Sequence, residues 1–204
     1  LPARLIDPND NDSQNNSDGP FILSEKWKIL ASPNGNGAIF AALKDSGAID
    51  DMKKRGVLYL DVHPIDNALV RPADPFMVGC MLYEGGDVAI KVIRKNPKEK
   101  IGTIAKRGDK TVVIEYSEIP DDQDQKFVWG NTGIHLYSLD VIERAANAEL
   151  PYHIALKKEN IINDKGEKVM AGVKKFERFI FDALEYAENT VLVECVREDE
   201  FAPI

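Results

Sequence analysis

The chain has 204 residues, of which 34 are acidic and 26 are basic, and its formal net charge is -8 at pH 7. This acidic balance argues against a general nucleic-acid binder and against a protein that binds anionic membranes. The longest apolar runs fall short of the roughly 20 residues that a membrane-spanning helix needs. Both cysteines, Cys80 and Cys195, lie inside apolar runs, so we expect buried free thiols and a cytoplasmic protein.

Two regions differ sharply in composition. Residues 1–20 are expected to be a polar, flexible segment, because Asp7 to Pro20 contain almost no apolar side chains. Residues 21–204 are expected to form part of one α/β domain, and the start at Leu1 indicates a piece of a longer polypeptide.

Strand and helix patterns alternate through residues 21–204. A short extended segment, "FILSEKWKIL", opens the region, and helices are predicted over "GAIFAALKDSGAIDDMKKRG", "ADPFMVGCMLYEGG", "LDVIERAANA" and "FERFIFDALEYA". Asp74 and Ser138 are predicted to cap the second and third of these helices. Strands are predicted over "VLYLDVH", "DVAIKVIRK", "FVWGNTGIHLYS" and "TVLVECVRE", with a hairpin that turns at "KRGDK".

This alternation predicts a three-layer α/β/α architecture with a mostly parallel sheet and a β-hairpin insertion. Ligands of such sheets bind beyond the carboxyl ends of the strands. The loops that follow the predicted strands are therefore the places to look for chemistry.

One glycine-rich stretch, "SPNGNG", lies directly before a predicted helix. Glycine allows positive φ and close approach to the main chain, which suits a polar ligand at a helix start. Proline, asparagine and glycine also build ordinary turns, so a plain loop is the alternative.

Four further residues carry candidate chemistry. Asp66 follows a predicted strand, where a carboxylate can hold magnesium against phosphates or simply cap a turn. Glu115 and Glu118 are expected to face opposite sides of a strand, so only one can line a cleft. Asn131 lies between two glycines that indicate a bulge or close ligand approach, and its amide can donate and accept at once.

A basic cluster follows near the end of the chain. Lys174, Lys175 and Arg178 carry enough positive charge to meet phosphates, although such runs are usually solvated helix faces. A Walker phosphate loop, a G-x-S-x-G elbow and a Cys/His metal spacing are all missing from the sequence. The residues alone indicate an α/β domain with a possible phosphate and metal cleft.

Several motifs, taken in order, resemble those of the eukaryotic UDP-N-acetylglucosamine pyrophosphorylases. They are "SPNGNGAIFAAL", "IDNALVRPADPFMVG", "IGTIAKR", "VIEYSEI", "WGNTGIHLYS", "FERFIFDAL" and "VREDEFAPI". The resemblance implies a Rossmann-like nucleotidyltransferase sheet and transfer of a uridylyl group from UTP to N-acetylglucosamine 1-phosphate. UDP-N-acetylglucosamine and pyrophosphate would be the products, with Mg²⁺ as cofactor and with no nucleic-acid or membrane partner.

The resemblance also assigns residues to roles. It implies a uracil-reading loop, a magnesium ligand that is also catalytic, and residues that grip the sugar and its N-acetyl group. The uracil loop would be Pro33, Gly35 and Asn36, the magnesium ligand Asp66, the sugar residues Gly102, Glu115 and Asn131, and the N-acetyl neighbours Phe179 and Phe181. Lys174 is the basic residue that we expect to serve the reacting phosphates.

The sequence also departs from the family pattern. The family's glycine-rich triphosphate clamp is absent, and Asn34 and Ala38 replace a more usual aspartate and glycine. We therefore expect an incomplete catalytic lobe that is inactive alone. The alternatives are a UDP-glucose pyrophosphorylase, a glycosyltransferase that consumes UDP-sugars, and a non-catalytic fragment. The glycosyltransferase would need an Asp-x-Asp at a strand end, where "PIDN" offers one aspartate.

Overall fold

A computed structural model of the chain describes residues 3–5, 20–120 and 122–204. Most of the polar segment predicted to be flexible, residues 6–19, lies outside the described residues. The strands are β1 (Arg4–Leu5), β2 (Leu23–Glu25), β3 (Lys28–Ile29), β4 (Tyr59–Val62), β5 (Val88–Arg94), β6 (Thr103–Arg107), β7 (Lys110–Ile114), β8 (Trp129–Ser138), β9 (His153–Ile162), β10 (Lys168–Glu177) and β11 (Thr190–Glu194). The α-helices are α1 (Ile39–Asp45), α2 (Ala48–Lys54), α3 (Pro75–Tyr83), α4 (Leu139–Asn147) and α5 (Arg197–Glu200). Short 3₁₀ helices cover Asn36–Ala38, Tyr116–Glu118, Asp124–Lys126 and Ile180–Tyr186.

The chain divides into two compact units, a division that the sequence patterns did not reveal. Unit 1 comprises Leu1–Ile39 and Leu150–Ile180, and unit 2 comprises Phe40–Glu149 and Phe181–Ile204. The N-terminal part of unit 1 therefore meets a segment that follows it by more than a hundred residues, and such pairing leaves no local sequence signal.

Unit 1 is built on a five-stranded sheet in the order β1-β10-β9-β2-β3. Its strand pairs are antiparallel, and β9 and β10 pair over their full lengths. A small apolar core covers one face of the sheet and contains Ala3, Ile22, Ile161 and Val173.

Unit 2 is built on a six-stranded sheet in the order β11-β5-β8-β6-β7, with β4 paired to β8. Among the described strands, β11 and β5 form the one parallel pair, so the expectation of a mostly parallel sheet is wrong. The reason is β8, which lies antiparallel between β4 and β5 and is reached from the β6–β7 hairpin without a crossover helix. Consequently β4, β5 and β11 still point the same way, and their carboxyl ends share one edge.

Two helix starts and the hairpin confirm the local predictions. The Asp74 side chain accepts a hydrogen bond from the Phe76 amide at 3.0 Å, and Pro75 occupies the first position of α3. The Ser138 hydroxyl accepts from the Val141 amide at 3.3 Å at the start of α4. Strands β6 and β7 turn at Gly108, where φ is 59°.

Two helix predictions need correction. The long helix expected over residues 37–56 is divided into α1 and α2, because Gly47 adopts a φ of 74° between them. The helix expected over "FERFIFDALEYA" is instead the end of β10 followed by a 3₁₀ helix, Ile180–Tyr186. Phe176 and Glu177 pair with Ile154 and His153 of β9, so the predicted helix cannot begin at these two residues.

The core of unit 2 lies where α3 covers the sheet. Met77 and Met81 of α3 pack against Ala89, Leu136 and Val193, which come from three different strands. This packing holds β5, β8 and β11 side by side, and the candidate site lies around their ends and the neighbouring hairpin.

Candidate active site

The three residues expected to grip a sugar come together in unit 2. The backbone N–H of Asn131 donates a hydrogen bond to the Gly102 carbonyl at 2.8 Å. A methyl group placed on Gly102 would lie 3.4 Å from a carboxylate oxygen of Glu115 and 3.9 Å from the β-carbon of Asn131. The Glu115 carboxylate and the Asn131 side chain therefore both border Gly102, and a side chain at this position would press against them and against Val113, which would lie 3.0 Å from the methyl group.

The hairpin explains this convergence. Thr103 at the start of β6 pairs with Ile114 at the end of β7, so Gly102 and Glu115 are the residues just beyond that pair. Thr103 also pairs with Gly130 of β8, which places Asn131 beside them. Three segments that are distant in sequence therefore meet at one corner of the sheet.

Glu115 itself lies outside the strand. Strand β7 ends at Ile114, and Tyr116–Glu118 form a 3₁₀ helix, so strand alternation does not decide how Glu115 and Glu118 point. The expectation that the two glutamates face opposite sides of a strand is wrong for this reason. Glu115 is half-buried and Glu118 is exposed.

The bulge predicted around Asn131 is present. Val92 of β5 pairs with Asn131, whereas Ile90 pairs with His135, so β8 carries extra residues between these pairs. Gly133 lies within the bulge with a φ of 79°, and its amide donates to the Asn131 side-chain oxygen at 3.1 Å. The second glycine of the motif is therefore required by backbone geometry.

Two residues that sequence reasoning missed lie behind Asn131. The His135 ring contacts the Asn131 oxygen Oδ1 through Nε2 at 2.8 Å and the Tyr137 hydroxyl through Nδ1 at 2.7 Å. Both side chains are fully buried, and burial lowers the pKa of His135 to about 3. Burial, together with the charge of Asp182, raises the pKa of Tyr137. The available signal was that Asn131, His135 and Tyr137 lie an even number of residues apart in an apolar strand.

Asp66 lies in the turn that follows β4, with its side chain exposed. Its carbonyl accepts a hydrogen bond from the Ile204 amide at 3.1 Å. Next to it, the buried Asn67 donates to the Glu200 carbonyl at 2.8 Å and accepts from the Ala202 amide at 2.9 Å. The segment after β11 therefore fixes the backbone of this turn.

A buried charge cluster supports the same turn and segment. The Lys91 ammonium contacts Asp74 at 2.5 Å and also Glu200. Burial favours the neutral form of Lys91, but its hydrogen bonds to both carboxylates outweigh that effect and raise its pKa. Burial acts to raise the pKa of Asp74, and the hydrogen bonds from Lys91 and the Phe76 amide reverse this and lower it.

The residues expected to read uracil lie in unit 1. Pro33 and Asn36 are exposed, and Gly35 is half-buried with a φ of 77°. A methyl group on Gly35 would lie 2.2 Å from the Arg178 carbonyl, and one on Gly37 would lie 2.7 Å from the Phe179 carbonyl. The close contacts that require these two glycines are contacts of the chain with itself.

Further hydrogen bonds hold the glycine-rich loop against the same segment. The Gly37 amide donates to the Arg178 carbonyl at 2.8 Å, and the Arg178 amide donates to the Asn34 carbonyl at 2.9 Å. Oδ1 of Asn36 accepts from the Ile180 amide at 3.0 Å. The loop is thus held in one conformation by residues 178–180.

The two phenylalanines expected near an N-acetyl group fall in different units. Phe179 is half-buried in unit 1, where its ring centre lies 4.8 Å from that of His153. Phe181 belongs to unit 2, where its side chain is only 7% exposed.

The basic cluster lies at the end of β10 in unit 1. Lys174 is 2% exposed, Lys175 pairs with Glu159 at 2.5 Å, and the Arg178 guanidinium lies 4.3 Å from the Tyr152 ring centre. The alternative of a solvated helix face is therefore wrong, because Lys174 and Lys175 belong to β10, Arg178 directly follows it, and no helix covers the three residues. A phosphate-binding role for Lys174 stays a prediction.

Within residues 3–5, 20–120 and 122–204, no group of three or more His, Cys, Asp or Glu side chains is placed to hold a metal ion. None of the helices in this described part is long and apolar enough to cross a bilayer.

Comparison with known proteins decides the family. The model of the family described as UTP–glucose-1-phosphate uridylyltransferase matches residues 16–204. The chain belongs to this family.

Individual members support a narrower resemblance. The chain is 37% identical over 202 residues to UDP-N-acetylglucosamine diphosphorylase 2 of Arabidopsis thaliana, covering 92% of this chain and 39% of that protein. It is 38% identical over 206 residues to a probable UDP-N-acetylglucosamine pyrophosphorylase of Dictyostelium discoideum, covering 92% of this chain and 42% of that protein. The resemblance inferred from the motifs is therefore confirmed.

A solved structure gives the same result. The structure of a putative UDP-N-acetylglucosamine pyrophosphorylase from Entamoeba histolytica matches with a TM-score of 0.83 at 32% identity, covering 100% of this chain and 51% of that one. The α/β fold of this family member is thereby confirmed. The chain spans about two fifths of the curated relatives and half of this structure.

Proposed function

We propose that the full-length protein is a uridylyltransferase that makes UDP-N-acetylglucosamine and pyrophosphate from UTP and N-acetylglucosamine 1-phosphate. The observation that carries this proposal is the convergence of Gly102, Glu115 and Asn131 in unit 2 of a family member. A carboxylate and a side-chain amide beside a glycine suit the hydroxyl groups of a sugar. The relatives named for UDP-N-acetylglucosamine favour this sugar over glucose.

Transfer of a uridylyl group needs no nucleophile from the protein. A phosphate oxygen of the sugar 1-phosphate attacks the α-phosphorus of UTP, the bond from that phosphorus to the bridging oxygen breaks, and pyrophosphate leaves. The protein contributes by holding the two substrates in line and by neutralising charge. In unit 2, Gly102, Glu115 and Asn131 would hold the sugar of the sugar 1-phosphate in position.

On the nucleotide side, we assign uracil recognition to the loop of Pro33, Gly35 and Asn36 in unit 1. Hydrogen bonds to residues 178–180 hold this loop rigid, so its remaining backbone groups need no ordering when a base binds. Phe179 and Phe181 are proposed neighbours of the N-acetyl group, and Lys174 a proposed phosphate partner.

Asp66 fits the magnesium site that the family resemblance implies. Its carboxylate is exposed, makes no hydrogen bond or ion pair within the described part of the chain, and sits on a turn whose backbone is fixed. One carboxylate suffices, since magnesium takes its remaining ligands from water and phosphate oxygens. When bound there, the ion would neutralise phosphate charge.

Kinetics of the full-length protein test the proposal. The wild type is expected to release pyrophosphate with UTP and N-acetylglucosamine 1-phosphate, and more slowly with glucose 1-phosphate. Asp66→Ala is expected to lower kcat at least about a hundredfold, because charge neutralisation is lost at the reacting phosphates. The exposed helix residue Asp45 provides the matched control, and Asp45→Ala should leave kcat unchanged.

Each result has a clear meaning. Absence of pyrophosphate release by the folded wild type would refute the uridylyltransferase assignment. Unchanged kcat in Asp66→Ala would refute the magnesium assignment alone. Thermal unfolding of this variant should match the wild type, because an exposed side chain without partners contributes little to stability.

A cytoplasmic location is a further part of the proposal. Cys80 and Cys195 are free and half-buried, and burial raises the pKa of Cys195 to about 11. Unpaired thiols of this kind are typical of a reducing compartment.

A further inference from the structure

The orientation of the Asn131 amide is fixed by its own chain. The Gly133 amide can only donate, and it meets the side-chain atom assigned as Oδ1 at 3.1 Å. The opposite assignment would place two donors against each other. Oδ1 of Asn131 therefore faces the bulge of β8, and Nδ2 faces the other way.

This orientation determines the protonation of His135. Nε2 of the ring lies 2.8 Å from the same Oδ1, so Nε2 must carry the hydrogen. A neutral ring then leaves Nδ1 as an acceptor, and the Tyr137 hydroxyl at 2.7 Å is its donor. Tyr137, His135 and Asn131 form one directed chain of hydrogen bonds that ends at the candidate sugar pocket.

The chain of hydrogen bonds changes what Asn131 can offer a ligand. A carbonyl oxygen has two lone pairs, and on Asn131 they are taken by Gly133 and His135. In the described part of the structure Nδ2 makes no hydrogen bond. The amide was expected to donate and accept at once, but it is left as a donor, while the acceptor beside it is Glu115.

We propose that His135 is a positioning residue that holds Asn131 with its NH₂ group toward the sugar, so that this position recognises only acceptor oxygens. This inference rests on the proposed function. A hydroxyl or carbonyl oxygen of the sugar would accept from Asn131, and a hydroxyl hydrogen would be donated to Glu115. The candidate sugar site therefore pairs the donor that His135 and Gly133 orient with a carboxylate acceptor.

Kinetic constants of the full-length protein test the positioning role. His135→Leu removes the donor and should raise the KM for the sugar 1-phosphate about tenfold, with the KM for UTP changed less than about twofold. His135→Gln retains an N–H that can reach Asn131 and should recover most of the loss. Equal rises in both KM values, or no rise in either, would overturn the proposal.

Asn131→Asp tests the donor directly and provides a second variant if His135→Leu does not fold. The substitution keeps the shape and the oxygen that Gly133 and His135 contact, and it replaces the NH₂ group with an oxygen. We expect a rise in the KM for the sugar 1-phosphate at least as large as that of His135→Leu. A KM equal to that of the wild type would show that no ligand oxygen accepts from Asn131.

The ring tautomer can be read without any substrate. Nitrogen-15 NMR of the His135 ring in the wild type should show hydrogen on Nε2, and hydrogen on Nδ1 would overturn the proposal. This measurement tests the orientation of Asn131 separately from the proposed function. A wild type that makes no UDP-N-acetylglucosamine refutes the proposed function, whereas the tautomer decides the orientation of Asn131 independently.

Discussion

Glycines serve opposite purposes in the two units. In unit 1, Gly35 and Gly37 are required because the chain's own backbone at Arg178 and Phe179 occupies the space that a side chain would need. In unit 2, the nearest neighbours of a methyl group on Gly102 would be side chains, those of Val113, Glu115 and Asn131, at 3.0 to 3.9 Å. A glycine-rich motif therefore marks close approach, but the structure must show whether the approaching group is a ligand or the protein.

The largest expected effect is a loss of stability in unit 1, where a glycine contacts the chain's own backbone. Gly37→Ala should lower the free energy of unfolding by about 3–5 kcal/mol, because the new methyl group would lie 2.7 Å from the Phe179 backbone. Urea unfolding monitored by circular dichroism measures the loss.

Gly166 provides the matched control in the same unit. It has a φ of 81°, but a methyl group there would meet nothing within 4 Å. Gly166→Ala should therefore cost only the conformational strain of about 1–2 kcal/mol. Equal losses in the two variants would show that the loop is not packed against residues 178–179 as described.

The second prediction concerns Gly102 in unit 2, which lies beside the candidate sugar residues. Gly102→Ala in the full-length protein should raise the KM for the sugar 1-phosphate about tenfold, since a methyl group would enter the space beside Glu115 and Asn131. Its nearest neighbour would be a methyl group of Val113 at 3.0 Å, so Val113 must shift slightly, and we expect a smaller loss of stability than for Gly37→Ala, where the clash is with backbone. Gly79 of α3 has open space around it, and Gly79→Ala should leave the KM unchanged.

The smallest expected effect is the pH dependence of stability that comes from the buried ion pairs of Lys91 with Asp74 and Glu200. Because the pKa of Asp74 in the folded chain lies below its ordinary value of 3.8, the unfolded chain binds the proton more readily. The resulting stability is present above that value and is lost as the pH falls through the folded-state pKa. Asp74→Asn, which keeps a helix-capping oxygen, should cost about 1 kcal/mol at pH 7.

Urea unfolding at a series of pH values measures this effect. The difference between Asp74→Asn and the wild type should shrink as the pH falls below 3.8. Asp45→Asn should show no such dependence. A difference that stays constant with pH would mean that the carboxylate charge of Asp74 does not contribute.

Local features of this fold could be predicted from the sequence, because their signals lie within a few residues. The caps Asp74 and Ser138, the turn at Gly108 and the bulge beside Asn131 belong to this group. The pairing of β9 with β10, the antiparallel placement of β8 and the two units depend on contacts between distant segments. Spacing carries little information about such contacts.

The candidate site, too, could be predicted only in part from the sequence. Family resemblance selected Gly102, Glu115 and Asn131, and the structure brings these three together. His135 and Tyr137 were not selected, because a histidine and a tyrosine in an apolar strand resemble ordinary core residues. Their role depends on the direction of hydrogen bonds, which a sequence does not show.

A crystal structure of the full-length protein with UDP-N-acetylglucosamine tests the central claim most directly. The account predicts a sugar oxygen within hydrogen-bonding distance, about 3 Å, of Nδ2 of Asn131, and a sugar hydroxyl donating to Glu115. A sugar bound away from Gly102, Glu115 and Asn131, or one donating to Oδ1 of Asn131, would contradict it.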